Sequence, residues 1–170
     1  MRKLTLFFVA SLVLIISACG FHLRGESQVA HLGMDSVFIE TEKPDAEVVQ
    51  RIKKGLQNAG VTVVEKTKNR QMTLALSEPV EERRVISVGK KAEAAEFQLV
   101  NRIDYTLKTK DGTIVLGPNT AMIEKNYLND PNEIVGKVTE ERMLRREMWN
   151  AVAERVLRGI ENSPQNHPSK

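Results

Sequence analysis

The sequence predicts an α+β fold: a two-layer sandwich in which two helices pack on one face of a mixed sheet of four to five strands. Three observations carry this. Residues 37–65 read as a strand, a helix and a second strand. Residues 96–110 alternate apolar and polar side chains with a period of two, and an apolar stripe at helical spacing closes the chain before residue 160. A length of 170 residues, 41% hydrophobic and 28% charged, suits one such domain with a real core, over residues 31–160.

"VFIET" (Val37 to Thr41) is β-branched and aromatic, and reads as a buried strand. A helix follows. Pro44 pre-sets the backbone at its start, Asp45 and Glu47 suit the positive end of its dipole, and Gly60 is placed to stop it. Val48, Ile52, Leu56 and Ala59 give it one apolar face. "VTVVE" (Val61 to Glu65) is then a second strand, and a strand–helix–strand unit places its strands parallel with a right-handed crossover.

"QMTLALS" alternates Met72, Leu74 and Leu76 against more polar neighbours, and "RRVISV" continues extended after Pro79. In "EFQLVNRIDYTLKTK" one face carries Phe97, Leu99, Ile103, Tyr105 and Leu107, the other Gln98, Arg102, Asp104, Thr106 and Lys108. Asp111-Gly112 is a favoured dipeptide of a tight hairpin, so an antiparallel strand returns through Thr113 to Tyr127. Pro118 cannot donate to a ladder, which implies an edge position or a break near Gly117. The last helix starts near Glu133 or Val138 and ends at Ile160; Leu144, Met148, Trp149, Val152, Val156 and Ile160 form its stripe, with Arg145, Arg146, Glu154 and Arg158 largely outside. Trp149 is a core residue. Residues 161–170, with two prolines and no apolar side chain, read as a disordered tail. The two helices leave one sheet face uncovered and semi-polar, as an interaction surface or an ordinary antiparallel sheet would have it.

The N-terminus is not part of this domain. Arg2 and Lys3 precede an apolar run, Leu4 to Ile16, too short for a spanning helix of about 20 residues, which is the form of an export signal over residues 1–18. Its removal takes Arg2 and Lys3 with it and lowers the formal net charge from +3 by two, to +1, which argues only weakly for a polyanionic partner. The run stops at Cys19, the one cysteine. Ile16-Ser17-Ala18-Cys19 resembles the bacterial lipobox, an aliphatic residue, two small ones and a cysteine, and that resemblance implies a diacylglyceryl thioether and an N-acyl chain on Cys19. Two or more acyl chains anchor stably where one is marginal. Gly20, where lipoproteins retained in the inner membrane carry aspartate, implies passage to the outer membrane, with residues 19–30 as a lipidated tether and the domain in the periplasm.

Little else resembles reaction chemistry. His22, His31 and His167 lack a second ligand at metal-binding spacing, and no G-x-S-x-G, phosphate-cradling loop or dinucleotide fingerprint is present. Glu81-Glu82 and Glu140-Glu141 are adjacent pairs whose side chains diverge, and read as solvated surface. No interleaving of basic and aromatic residues suggests nucleic-acid binding. The expectation is a protein with no catalytic site, no metal and no cofactor beyond the lipid. Lys90 and Lys91 fall at a loop between two strands and Lys137 just ahead of the last helix. As loop lysines these are solvated residues or phosphate contacts, and both readings fit the residues alone.

"CGFHLRG" after the lipobox, the "SVGKKAEAAEFQL" hairpin, "NDPNE" and the closing "REMWNAVAERVLRGI" together resemble the LptE family of lipopolysaccharide-assembly lipoproteins, over nearly the whole chain from Cys19 to Ile160. The resemblance implies a non-enzymatic plug, one copy inside an outer-membrane LptD-type β-barrel, that also contacts lipopolysaccharide. It further implies that the family's lipopolysaccharide contacts, a basic residue at the hairpin tip and a lysine before the last helix, fall on Lys90 and Lys137, with Lys91 as a helper. Lysine at Lys90, where related chains carry arginine, keeps the charge but loses bidentate phosphate geometry. The long polar C-terminal extension of some relatives is short here. Two readings from other classes stand beside it: a free-standing outer-membrane-anchored periplasmic adaptor for another envelope enzyme, and a hydrolase with a scattered site.

Overall fold

Ser36–Glu40 forms strand β1, and the chain then turns through Pro44 into helix α1, Glu47–Asn58. Val48, Val49, Ile52 and Leu56 of α1 are buried, and the helix ends as expected at Gly60, whose φ of 80° lets the Val61 N–H donate back to the Leu56 carbonyl at 3.0 Å. Strand β2, Thr62–Val64, pairs parallel with β1, as a strand–helix–strand unit requires. A single 3-10 turn, Thr67–Asn69, leads into β3, Met72–Leu76, which is parallel to the other edge of β1. This computed structural model describes residues 32–65, 67–89, 94–128 and 134–163.

The antiparallel part is organised by one long strand. Strands β4, Val80–Val88, β5, Ala94–Thr109, and β6, Ile114–Leu128, complete a sheet of order β2-β1-β3-β5-β4, with β6 also on β5. Among the described residues the sheet has six strands, one more than the upper expectation, because the extended stretch after Pro79 forms its own strand beyond β3. At about 3.3 Å per residue, the 16 residues of β5 extend about 50 Å. β6 borders one edge of β5 along its length; β3 borders the other from Tyr105 to Thr109 and β4 from Ala94 to Arg102. Between them, the Ser77 N–H donates to the Asp104 carbonyl and Ser77 Oγ accepts from the Asp104 N–H, both at 2.9 Å, so the edge passes Pro79 without losing its ladder. Both expectations for Pro118 hold: β6 pairs only with β5, and the register jumps from Leu107↔Leu116 to Tyr105↔Asn119, leaving Gly117 and Pro118 in a bulge. The Asp111-Gly112 turn is a four-residue loop, with the Asp111 carboxylate accepting from the hydroxyls of Thr109 and Thr113.

Helix α2, Ile134–Glu161, packs with α1 on one face of the sheet. Val37, Ile52, Leu74, Ile103, Leu107, Val152 and Ile160 are fully buried between the layers, and Trp149 is in the core as its place in the stripe predicts. α2 continues to Glu161 and Ser163 is buried, so the ordered chain runs three residues into the expected tail; residues 164–170 lie outside the described residues. The open face is semi-polar, as expected: Glu82 pairs with Arg84 and the Thr120 hydroxyl donates to Asp104 at 2.6 Å, while Met122 and Leu128 stand exposed opposite Arg102 and Glu96. Val100 departs from that pattern: it is buried on this face, between Glu82 and Glu124 across the register.

Two glycines set how closely α2 approaches its neighbours. A Cβ on Gly55 would fall 2.3 Å from Leu157 Cδ1, and one on Gly159 would fall 2.0 Å from the Tyr105 hydroxyl oxygen and 3.0 Å from its ring carbon Cζ. Alanine ordinarily favours a helix interior over glycine by about 1 kcal/mol. Gly159→Ala is expected to reverse that sign, because the buried Tyr105 ring has to move: overpacking of this kind costs about 1 to 3 kcal/mol. Urea denaturation of the variant measures it, and a raised midpoint would refute the tight contact.

Candidate interaction site

Beyond Ile103 on β5 and Trp149 on α2 polar side chains join the apolar ones between the two layers, where Leu99 and Met148 are still fully buried. The main apolar cluster ends there, and the first half of α2 is fastened to the β4–β5–β6 ribbon by a network of polar side chains. Period and register bring these together. Glu81 and Arg83 share a face of β4 at a spacing of two, while Glu141 and Arg145 share a face of α2 at a spacing of four. Register sets Glu81 opposite Asn101, and Phe97 opposite both Val85 and Tyr127.

Arg145 is the hub. It donates from Nε to Glu141 Oε1 at 3.2 Å, from Nη1 to Asn101 Oδ1 at 3.2 Å and from Nη2 to the Glu82 carbonyl at 3.3 Å. The fully buried Asn101 returns a hydrogen bond from Nδ2 to the Arg145 carbonyl at 3.3 Å. The Trp149 indole N–H donates to Glu81 Oε1 at 2.6 Å. Glu141 accepts from the Tyr127 hydroxyl at 2.7 Å and from Arg83 at 3.4 Å, so one helix carboxylate holds β4 and β6 together. The Arg83 guanidinium lies 4.6 Å above the Phe97 ring, which packs 5.5 Å from the Tyr127 ring.

The charges are set for this geometry. Burial pushes the Glu141 carboxyl upward, but the hydrogen bond from Tyr127 and the guanidinium groups of Arg145 and Arg83 outweigh it and hold Glu141 below the ordinary carboxylate range. Burial, then the facing Glu141 carboxylate, raises the Tyr127 phenol. Glu141 is therefore ionised and Tyr127 protonated at neutral pH. An open groove of about 550 Å³ runs beside this network, between Glu47, Arg83, Val138, Arg142 and Arg146.

Two readings of the sequence are corrected here. Glu141 is not solvated surface: its side chain is 20% exposed and bonded to three residues. Arg145 does not lie outside the packed face; at 17% exposure it is drawn under by Asn101 and Glu81. A polar residue at a core position of β5, Asn101, was the one signal that could have revealed the network, since a buried amide requires partners.

The basic candidates separate. Lys137 is in the first turn of α2 rather than in a loop ahead of it. Cys19, Lys90 and Lys91 lie outside the described residues. The strand ends that flank the latter two are described: Val88 pairs with Ala94 and Leu128 with Glu96, so β4, β5 and β6 meet at one end, and α2 starts six residues after Leu128 at that same end. The opposite end holds Leu32, the 110–113 turn and the C-terminus of α2. Among the described residues no three metal-ligating side chains converge, and no helix is long and apolar enough to cross a membrane.

Among the described residues this polar cluster joins one helix to three strands of a two-layer α+β domain. Its family is plain from comparison with known proteins: the LptE profile, described as lipopolysaccharide-assembly, matches residues 34–160, and the chain belongs to that family. It is similar to the LPS-assembly lipoprotein LptE of Photorhabdus laumondii, 27% identical over 148 residues that cover 87% of this chain and 80% of that one. It is also similar to that of Yersinia enterocolitica, 24% identical over 94% of this chain and 76% of the relative. The fold matches lipoprotein B of Nitrosomonas europaea with a TM-score of 0.71 at 21% identity, covering 87% of this chain and 97% of that one. Rare lipoprotein B of Shewanella oneidensis matches with a TM-score of 0.64 at 21% identity, over 72% and 91%. The family is one of non-enzymatic envelope lipoproteins with a role in lipopolysaccharide assembly, so the chain is not an enzyme.

Proposed function

We propose that the protein is an outer-membrane lipoprotein, anchored through acyl chains on Cys19, that plugs an LptD-type lipopolysaccharide-export barrel as one copy and assists its assembly. In this reading lipopolysaccharide binds at Lys90, Lys91 and Lys137 during its insertion at the cell surface. The observation that carries the binding half is the meeting of strand ends Val88 and Ala94 with the start of α2 at one end of the domain, opposite the end where the chain enters from the tether. That arrangement brings the strand ends that flank residues 90–93 to the end where α2 begins, with Lys137 in its first turn, which supports a shared binding region. The plug half is supported by family membership and by an open sheet face that carries charged and polar side chains such as the Glu82–Arg84 pair and Asp104 with Thr120, suited to a barrel's polar interior.

Co-purification from detergent-solubilised outer membrane tests the plug: a large barrel in equal amount is expected, whereas a soluble partner without a barrel would favour the adaptor. Replacing Lys90 and Lys137 together by aspartate is expected to weaken lipopolysaccharide binding, more at low salt where exposed charges are less screened, with barrel association retained. The reversal should exceed the alanine pair, since repulsion is added to lost attraction. Equal affinity of the double aspartate variant at low and moderate salt would leave these lysines as solvated residues.

A further inference from the structure

We propose that Glu141 is a positioning residue for Lys137: it fastens the first turns of α2 to the sheet and thereby holds Lys137 at the strand ends where a phosphorylated glycolipid is bound. The inference rests on the reading of Lys137 as a lipopolysaccharide contact. Among the described side chains, Glu141 is the first along α2 to bond the sheet; Val138, Thr139 and Glu140 before it are exposed. It stands one helical turn after Lys137 and touches both outer strands of the ribbon, through Arg83 of β4 and Tyr127 of β6. Apolar burial reaches this stretch only thinly: beyond the main core, which ends at Trp149, Leu99 of β5 and Met148 of α2 are buried, but none of the described α2 residues before Met148 is. Without the Glu141 contacts, Arg145 is the next fastening, and the helix start can swing away from the strand ends.

Positioning and simple electrostatics predict opposite signs. Removing a carboxylate beside a cationic site raises its affinity for phosphate if charge alone matters. If Glu141 positions Lys137, its removal lowers affinity in spite of the added positive charge.

The test uses the full-length lipidated protein in detergent micelles, titrated with purified lipopolysaccharide and with the same lipid after dephosphorylation. Glu141→Ala is expected to weaken binding of the phosphorylated lipid roughly fivefold to tenfold and to abolish the further effect of Lys137→Ala, as loss of coupling requires. Glu141→Gln keeps an acceptor for the Tyr127 hydroxyl and should retain most of the affinity. Tyr127→Phe removes one hydroxyl and leaves the core untouched; it is expected to give a smaller loss of affinity and a matching loss of the Lys137→Ala effect in a protein that still folds with a modestly lowered melting temperature, and it decides the matter if Glu141→Ala does not fold. Unchanged or raised affinity in Glu141→Ala and Tyr127→Phe, with Lys137→Ala keeping its full effect in both, overturns the positioning role alone. No effect of Lys137→Ala in the parent protein overturns the reading beneath it, and the positioning role with it.

Discussion

Trp149→Ala is expected to cost about 3 to 5 kcal/mol of stability and to lower the melting temperature of the domain by roughly 10 to 20 °C. The indole is 3% exposed at the point where the apolar core gives way to the polar network, and it does two things there. Its ring fills volume beside Val152 and Ala153, which alanine would leave as a cavity. Its N–H donates to Glu81, so truncation also removes a hydrogen bond to a charged acceptor, an interaction worth about 1.5 to 3 kcal/mol. Trp149→Phe separates the two, keeping much of the volume and losing the donor, and should fall between parent and alanine variant. Thermal unfolding followed by circular dichroism measures all three proteins. A melting temperature for Trp149→Ala within a degree of the parent would refute the buried indole.

Cys19→Ala is expected to abolish membrane anchoring. The thiol is the acyl acceptor in the lipobox reading, and no other cysteine can substitute for it. Each buried methylene contributes about 0.8 kcal/mol, so losing every acyl chain removes tens of kcal/mol of hydrophobic transfer, far more than protein contacts at the membrane surface replace. The variant should appear unprocessed or in the soluble periplasmic fraction, with its domain folded, because the core begins only at Leu32. Mass spectrometry of the parent should show a processed chain with acyl mass on Cys19. An unmodified, processed Cys19 in the parent would remove the basis of the lipoprotein reading for this chain.

Elements whose partners are near in sequence were legible. Alternation along Phe97 to Leu107 places those side chains on the core face of β5 without knowledge of what covers them, and the Leu144-to-Ile160 stripe does the same for α2. The turn residues acted locally too: Gly60 ends α1 and Pro118 marks an edge strand with a bulge, since backbone geometry and a missing donor require no distant partner. Division of the stretch 72–88 into two strands on one edge of β5 was less legible, because Ser77 replaces the missing ladder bonds through Asp104, 27 residues away.

The polar cluster could not be read in this way. Asn101 and Arg145 are 44 residues apart, Glu81 and Trp149 68, and Arg83 and Glu141 58. A charged residue one step outside an apolar stripe is solvated by default, because water stabilises it better than a bare protein surface does. Only a packing that brings a complementary group to the same spot reverses that preference, and whether it does depends on the register of β4 on β5 and on how far α2 extends past the core. Composition, period and turn chemistry therefore determined that this chain carries an α+β domain. The placement of Glu141 and Arg145 between three strands was decided by tertiary packing, where partners distant in the chain replace the water each charge would otherwise keep.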